Sequence, residues 1–296
     1  MAILDSIKSY HIEFEGLRMD LIKYCKEEHN IAKDCNTIQL GTFDYYRQMD
    51  PSFSIADPEE GSIKYTCRAS SDLIINSRQF NAITGGVVSI SDKDSPNPTK
   101  PLSGAKISLG EGEYIYHADG TTTIKPGNID AEVYYPNCYI FCCSLLDPNE
   151  SPEPKKISSD YDSFYKISQK DINPFSEAIC KLIASDIQIG ELKLDNQRLT
   201  SSHIMTLGHT PNVRCIHGPV EYVEDKTIIL NKPEDFDDNN WTRIFFQSMF
   251  KKDTMFMPDN EYRFVFIIEH PIHKILAVKK DPKIISLNPL YKFIKK

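Results

Sequence analysis

The sequence predicts an α+β fold that is rich in β-strands and has few helices. Short apolar runs alternate with polar residues, only two segments have helical periodicity, and stretches rich in Pro, Ser and Asp separate them. No repeat of fixed period occurs, and no boundary divides the chain cleanly. We therefore expect a single domain, residues 1–296, with loop insertions.

Two segments have the spacing of an amphipathic helix. The first runs from Gly16 to about Asn30, where apolar residues recur every three or four positions. The second is Phe175–Ile187, in which Phe175, Ile179 and Ile183 share one helical face. Both segments are predicted to be helices.

Strands are predicted where apolar and polar residues alternate. Asn36–Arg47 is expected to be a strand that runs into a turn, and Asn137–Leu146 a core strand. Val220–Tyr222 and Ile228–Leu230 are expected to form a hairpin. The remaining expected strands are centred on Ile63–Cys67 and lie at Glu261–Glu269, Lys274–Val278 and Ile284–Leu287, while Ser91–Gly112 and Asp147–Asp160 are expected to be surface loops.

Composition limits the classes of function. With 296 residues, 40% of them hydrophobic and 26% charged, the chain resembles a soluble globular protein. Its net charge of −8 argues against a surface that binds nucleic acid everywhere, although a local basic groove at Lys274–Lys296 remains open. No apolar run approaches the roughly 18 residues that span a bilayer, and no signal peptide is recognisable. We expect a cytoplasmic protein without a membrane partner.

Several common catalytic motifs are missing from the sequence. It has no phosphate-binding P-loop, no GxGxxG after a strand and no GxSxG nucleophile elbow. It also lacks CxxC and HExxH, and His203, His209, Cys215 and His217 match no standard zinc spacing. The eight cysteines are therefore expected to be reduced thiols, and we expect no metal.

Three polar features at the ends of predicted strands are candidates for a site. Tyr45 and Tyr46 follow a strand, and the charged turn Ile55–Gly61 comes soon after them. Glu261 opens an apolar strand, where a glutamate is unusual. Residues at strand ends point into clefts that loops build, which favours a functional role.

Short runs of this sequence resemble a poorly characterised group of bacterial proteins of the DUF2971 type, which are similar to ADP-ribosyltransferases. The resemblance covers the first sixty and the last eighty residues and is carried by Gln39–Gly61, Val220–Tyr222, Phe250–Lys251 and Glu261–Phe264. It implies an ADP-ribosyltransferase-like core with a split sheet. It also implies NAD as co-substrate.

In the ADP-ribosyltransferases with a His–Tyr–Glu signature, these three residues line the NAD site. The resemblance assigns these roles to His11, to Tyr45 or Tyr46, and to Glu261. Each residue also has a structural interpretation: an ordinary histidine, a core tyrosine beside an exposed one, and a surface carboxylate paired with Arg263. Both interpretations stay open at this point.

The chemistry of NAD explains why such residues would be needed. Cleavage of the nicotinamide–ribose bond builds positive charge on the sugar, which a carboxylate such as Glu261 stabilises. Tyr46 would stack on the nicotinamide ring. Arg47, Arg68 and Arg78 are candidate donors for the diphosphate by residue type. The carboxylates of the turn, Asp57, Glu59 and Glu60, are either solvated or part of a loop that lies over the dinucleotide or against the target.

The resemblance implies that the chain transfers ADP-ribose from NAD to a macromolecule, either a protein or a nucleic acid. It also suggests a bacterial toxin or anti-phage effector, with a neutralising antitoxin as a possible partner. One alternative is an NAD glycohydrolase, which would use water as the acceptor. Another is a binding module that keeps the fold without the chemistry.

Overall fold

A computed structural model describes most of the chain and shows a β-rich protein with several sheets. The described residues are 19–33, 35–77, 79–80, 104–109, 113–147, 149, 151–153, 157–194, 197–198, 211–236, 247–270, 274–286 and 294–295. They form two compact units: residues within 61–136 and 224–251 make the first, and residues within 19–60, 137–223 and 252–295 make the second. The expectation of a single domain stays a prediction.

The described strands are, in chain order, β1 (Asp20–Cys25), β2 (Thr37–Thr42), β3 (Ser62–Ala69), β4 (Leu73–Asn76), β5 (Gly104–Leu109), β6 (Tyr114–Tyr116), β7 (Thr121–Ile124), β8 (Gly127–Tyr134), β9 (Tyr139–Leu146), β10 (Ser163–Ile167), β11 (Leu192–Leu194), β12 (Gln197–Arg198), β13 (Asn212–Pro219), β14 (Glu221–Val223), β15 (Ile228–Leu230), β16 (Lys251–Asp253), β17 (Glu261–His270), β18 (Lys274–Val278), β19 (Lys283–Ser286) and β20 (Ile294–Lys295). The α-helices are α1 (Phe43–Arg47) and α2 (Ile172–Asp186). Short 3-10 helices lie at Glu27–His29, Gln169–Asp171, Ile189–Glu191, Pro233–Phe236 and Thr254–Asp259. No helix in the described part of the chain is long and apolar enough to cross a membrane.

The second unit is built on a large, mainly antiparallel sheet around β17. Along one side β17 pairs with β13, and along the other it pairs first with β9 and then with β18. The far side of β9 pairs with both β1 and β2. Strands β10 and β20 continue the sheet beyond β1, β19 continues it beyond β2, and β11 and β12 continue it beyond β18. This arrangement puts the start of β17 beside the end of β9.

Side chains alternate along β17, so that one face of the strand is apolar and the other carries charged residues at its start. Phe264, Phe266 and Ile268 point to one face and pack in a core with Phe175 of α2. Phe175, Phe141 of β9 and Phe264 have ring centroids within about 6 Å of one another. Glu261 and Arg263 alternate with this apolar set and therefore project from the opposite face.

The first unit holds two smaller sheets. One has the order β15-β3-β8-β5, in which β15 runs parallel to β3, and the other has the order β4-β7-β6. Alternate residues Ile63, Tyr65 and Cys67 of β3 pack in its core. The strand expected around Ile63–Cys67 is therefore confirmed.

The helix expected from Gly16 to about Asn30 is wrong within the described residues. Asp20–Cys25 is strand β1, which pairs with both β9 and β10, and only Glu27–His29 is helical. Leu21 and Cys25 are four positions apart, which puts them on one face of a helix but also on one face of a strand. Pairing with two neighbouring strands decided between these structures.

Two other expectations about strands are corrected. The hairpin of Val220–Tyr222 with Ile228–Leu230 is wrong, because β14 pairs with β16 and β15 pairs with β3. Ser91–Gly112 is not all loop, since Gly104–Leu109 pairs with β8. Pairing between residues distant in sequence overrides the local pattern in both cases.

Most of the remaining expectations are confirmed. The helix expected at Phe175–Ile187 is α2, which starts three residues earlier and ends one residue earlier. The strand from Asn36 ends at Thr42, whose hydroxyl accepts a hydrogen bond from the Tyr45 amide and so caps the short helix α1 where a turn was expected. The expected core strand Asn137–Leu146 is β9, and the three C-terminal strands are β17, β18 and β19.

Candidate active site

A cleft on the polar face of the large sheet contains the candidate site. Its walls are mainly aromatic and aliphatic, and its charged residues are Lys23, Glu60, Lys252, Asp259 and Glu261. The wall residues are Ile22, Tyr24, Tyr46, Ile55, Ile157 and Tyr161. The interior is small, so a ligand as large as a dinucleotide must extend through the mouth of the cleft.

Four buried charges lie together at the head of β17. Arg263, which is 0% exposed, donates from Nη1 to Glu60 Oε1 at 2.6 Å and from Nη2 to Glu60 Oε2 at 3.1 Å. Its Nε donates to Glu261 Oε1 at 2.7 Å. Lys252 Nζ lies 2.8 Å from Glu261 Oε2 and 3.9 Å from Glu60 Oε2. Both carboxylates are thereby held in fixed positions by two cations.

The backbone around Glu261 is fixed by residues on three sides. Asn260 adopts a left-handed conformation, with φ of 43°, which asparagine tolerates better than most residues. The Glu261 amide donates to the Tyr222 hydroxyl at 2.7 Å, and the Glu261 carbonyl accepts from the Val220 amide at 2.9 Å. The Leu145 amide of β9 donates to the Asn260 carbonyl at 2.7 Å. The carboxylate therefore starts from a rigid strand end.

The surrounding charges keep Glu261 ionised. Burial alone would raise the pKa of Glu261, but the charges and hydrogen bonds of Arg263 and Lys252 outweigh burial and hold that pKa well below its usual range. The two carboxylates act on Lys252 in the same way and raise its pKa despite burial. Glu261 is therefore an anion over the whole physiological pH range.

Asp259 has the opposite shift. Burial raises its pKa to about 6, and the nearby Glu261 adds to the rise while Lys252 opposes it. Asp259 lies at the end of the 3-10 helix Thr254–Asp259 and lines the cleft. Two carboxylates of one cleft thus have pKa values pushed far apart, a pattern typical of acid–base sites.

Tyr46 forms a wall of the same cleft. A Cβ atom on Gly41 of β2 would lie 2.4 Å from Tyr46 Cε2, so only glycine allows the ring to lie this close to the strand. Burial raises the pKa of Tyr46 well above its usual value. Its ring is therefore a neutral, fixed surface.

The predicted residues have different places in the structure. Tyr46 and Glu261, which are far apart in sequence, line one cleft. Tyr45 packs edge to face against Tyr46, with ring centroids 5.3 Å apart, and is not a lining residue. Arg47 forms an ion pair with Asp44, and its Nη1 donates to the Glu60 carbonyl at 2.8 Å.

The other candidates that the structure describes do not line this cleft. Arg68 is an exposed residue of β3 in the first unit. Cys215 and His217 lie on β13, where His217 Nδ1 is 2.7 Å from the Tyr262 hydroxyl. His11 and Arg78, which were candidates for the NAD site, lie outside the described residues, as do His203 and His209.

The charged turn before Gly61 differs from the solvated interpretation. Asp57 and Glu60 are each only 2% exposed, and Glu60 binds Arg263. The surface interpretation of Glu261 is also wrong, since that residue is 4% exposed, although its pairing with Arg263 is present.

Sequence reasoning missed Lys252, Asp259 and Lys23 as residues of the cleft. The only signals in the sequence were their positions: Lys252 and Asp259 come shortly before Glu261, and Lys23 lies within an apolar run.

Comparisons with known proteins do not add to this geometry: no family model, no curated protein and no solved structure matches the chain.

Proposed function

We propose that the cleft binds NAD and that the protein transfers ADP-ribose from it to a macromolecular acceptor. One observation carries this proposal: Tyr46 and Glu261, to which the resemblance gives the roles of a nicotinamide wall and a ribose carboxylate, line the same cleft. The split-sheet core of ADP-ribosyltransferases is part of the same proposal. So are a cytoplasmic location, a role as a toxin or anti-phage effector, and neutralisation by an antitoxin.

Glu261 would stabilise the charge that develops during bond cleavage. The bond between ribose C1′ and the nicotinamide nitrogen breaks, and its electron pair leaves with nicotinamide. The sugar then carries positive charge, which a fixed and ionised carboxylate offsets. Arg263 and Lys252 hold that carboxylate without protonating it. Its fixed position means that little reorganisation is needed in the transition state.

The aromatic walls support binding of the leaving group. Tyr46 offers a ring surface that Gly41 holds in place, and Tyr24 and Tyr161 line the same space. Planar heteroaromatic groups stack on such rings, and a cationic pyridinium gains further from contact with them. This part of the cleft therefore suits nicotinamide as it is bound in NAD.

Asp259 would receive the proton of the acceptor. As the acceptor oxygen or nitrogen bonds to ribose C1′, its proton must move to a base. A carboxylate with a pKa of about 6 is ionised at pH 7 yet basic enough to accept that proton. This assignment balances the reaction, with nicotinamide and the modified acceptor as products.

Hydrolysis of NAD is a second candidate, favoured by the open mouth of the cleft. Water would then occupy the position of the acceptor, and the same carboxylates would act.

One experiment separates the candidates. The purified protein is incubated with NAD labelled in the adenine ring, with and without cell extract, and the products are identified by mass spectrometry. Label attached to protein or nucleic acid, together with free nicotinamide, supports transfer. Free ADP-ribose without extract supports hydrolysis. Unchanged NAD in both samples would contradict the proposal and leave a binding module as the better interpretation.

A further inference from the structure

Lys23 is a cation of the cleft that lies where two strands separate. The register between β1 and β9 ends at the pair Ile22 and Ser144. At the next residue, Lys23 Nζ donates to the Cys142 carbonyl at 2.8 Å and lies 4.9 Å from the centre of the Phe141 ring. Lys23 also lines the cleft. Lys23 is therefore a wall residue of the cleft whose ammonium group is anchored on β9.

Lys23 differs from the other cations of this site. Lys252 and Arg263 each contact carboxylates, whereas no carboxylate of the described residues lies within ion-pair distance of Lys23. The titratable groups around it are Tyr161, Cys25, Cys142 and Cys143. Burial raises the pKa values of the Cys25, Cys142 and Cys143 thiols, so these three groups are uncharged at neutral pH.

An ammonium group in such a place needs an anion. Lys23 is partly buried, and a cation that loses part of its hydration is stabilised when an anion takes the place of the lost water. One N–H of Lys23 is used by the Cys142 carbonyl, which leaves two for another acceptor. The cleft thus has an ionised carboxylate at Glu261 and an uncompensated cation at Lys23.

We infer that Lys23 binds a phosphate group of the ligand. This inference rests on the proposed function for the identity of the ligand, since NAD has a cationic ring at one end and a diphosphate beyond the ribose. Glu261 and Tyr46 match the cationic end, and Lys23 matches the anionic part. Arg47, which was a candidate for this role, is occupied by Asp44 and by the Glu60 carbonyl.

The test is binding of ADP-ribose and of nicotinamide, measured by calorimetry on the full chain. Lys23→Gln removes the charge and keeps a polar side chain, and Lys23→Arg restores the charge. Lys26→Gln is the matched control, because Lys26 is an exposed residue directly after β1. Thermal melts of all three variants identify any that are unfolded.

We expect Lys23→Gln to weaken ADP-ribose binding by roughly 10- to 100-fold, the range for loss of a charge-assisted hydrogen bond. Nicotinamide binding should stay the same, Lys23→Arg should keep most of the ADP-ribose affinity, and Lys26→Gln should match the wild type. Higher salt should weaken ADP-ribose binding of the wild type more than that of Lys23→Gln.

Equal ADP-ribose affinity of Lys23→Gln and the wild type would overturn the inference, as would a wild type that binds no ADP-ribose. If Lys23→Gln does not fold, loss of affinity in Lys23→Met with an intact melt supports the inference, and unchanged affinity overturns it. ADP-ribose binding that depends on Lys23 in a protein that leaves NAD intact would support the phosphate contact and contradict the proposed chemistry. The two proposals therefore fail separately.

Discussion

Arg263 binds Glu60 through both terminal nitrogens, although 203 residues separate them in the sequence. The pair joins the charged turn before Gly61 to the strand that starts with Glu261. The Arg263 side chain of this pair is fully buried. The position of the proposed ribose carboxylate thus depends on a contact between distant parts of the chain.

Replacement of Arg263 should destabilise the protein strongly. Arg263→Met leaves Glu60 and Glu261 with Lys252 as their remaining cation, and removing one partner of a buried pair costs about 3–5 kcal/mol. Arg214→Met is the control. Arg214 of β13 forms an ion pair with Glu269 of β17, and because this pair is partly exposed it should contribute about 1 kcal/mol or less to stability. Urea unfolding measures both. Similar losses in the free energy of unfolding for the two variants would show that the buried ion pairs of Arg263 contribute no more to stability than a partly exposed pair.

Gly41→Ala should weaken NAD binding through Tyr46. The new methyl group would lie 2.4 Å from the ring, so the ring must move away from β2. We expect the Kd for NAD to rise about tenfold, as for Tyr46→Ala, with a smaller change in the rate of the bound complex. Gly190→Ala is the matched control, since a Cβ there meets nothing within 4 Å. Unchanged affinity of Gly41→Ala would remove Tyr46 from the binding surface.

The proposed base predicts a pH profile. Because the pKa of Asp259 is about 6, kcat/KM should fall as the pH decreases through that value. Asp259→Asn should lower the rate by roughly 100-fold or more and remove this acidic limb. A wild-type rate that stays constant from pH 8 to pH 5, or an unchanged limb in Asp259→Asn, would contradict the assignment.

The same shift predicts a change in stability. A pKa that is higher in the folded than in the unfolded state means that the folded protein binds this proton more tightly. The contribution of Asp259 to stability is therefore complete below its usual pKa of 3.8 and is lost as the pH rises to about 6. Asp259→Asn should be at least as stable as the wild type at pH 8. A less stable variant at that pH would show that the ionised group is stabilised by its surroundings.

Nucleic-acid binding by the C-terminal segment Lys274–Lys296 has to be tested with point variants, because deleting the segment would disturb the fold. The sequence suggested Lys274–Lys296 as a basic groove for a nucleic-acid acceptor, but Leu276, Val278 and Ile285 are buried in the large sheet. Lys283 is also paired with Asp186 and Glu191. Removing the tail would therefore remove parts of the core along with the charge.

The sequence predicted those parts of the fold that local patterns control. Alternation in β9 and β17 and the apolar face of α2 were sufficient to recognise these elements. It failed for β1, where a spacing of four fits both helix and strand, and for β14 and β15, whose partners are distant in sequence. Such pairings depend on tertiary contacts that a local pattern does not contain.

The site was predictable to a similar degree. Glu261 stood out because glutamate is a poor strand former, and Tyr46 because two tyrosines follow a strand. Glu60 was recognised only as one of several carboxylates in a charged turn, where such residues are usually solvated, and Lys252 was not recognised at all. Their burial follows from Arg263, whose charge inside the sheet requires carboxylates, and that requirement appears only when distant segments come together.

The central claim is that the charge of Glu261 accelerates cleavage of NAD. Its most direct test is the turnover of Glu261→Gln beside Glu269→Gln, a matched change in another ion-paired glutamate of β17. Both variants are assayed with saturating NAD at a temperature where their melts show folded protein. The account predicts a loss of roughly 100- to 1,000-fold in kcat for Glu261→Gln and little change for Glu269→Gln. A folded Glu261→Gln protein with wild-type turnover would contradict it.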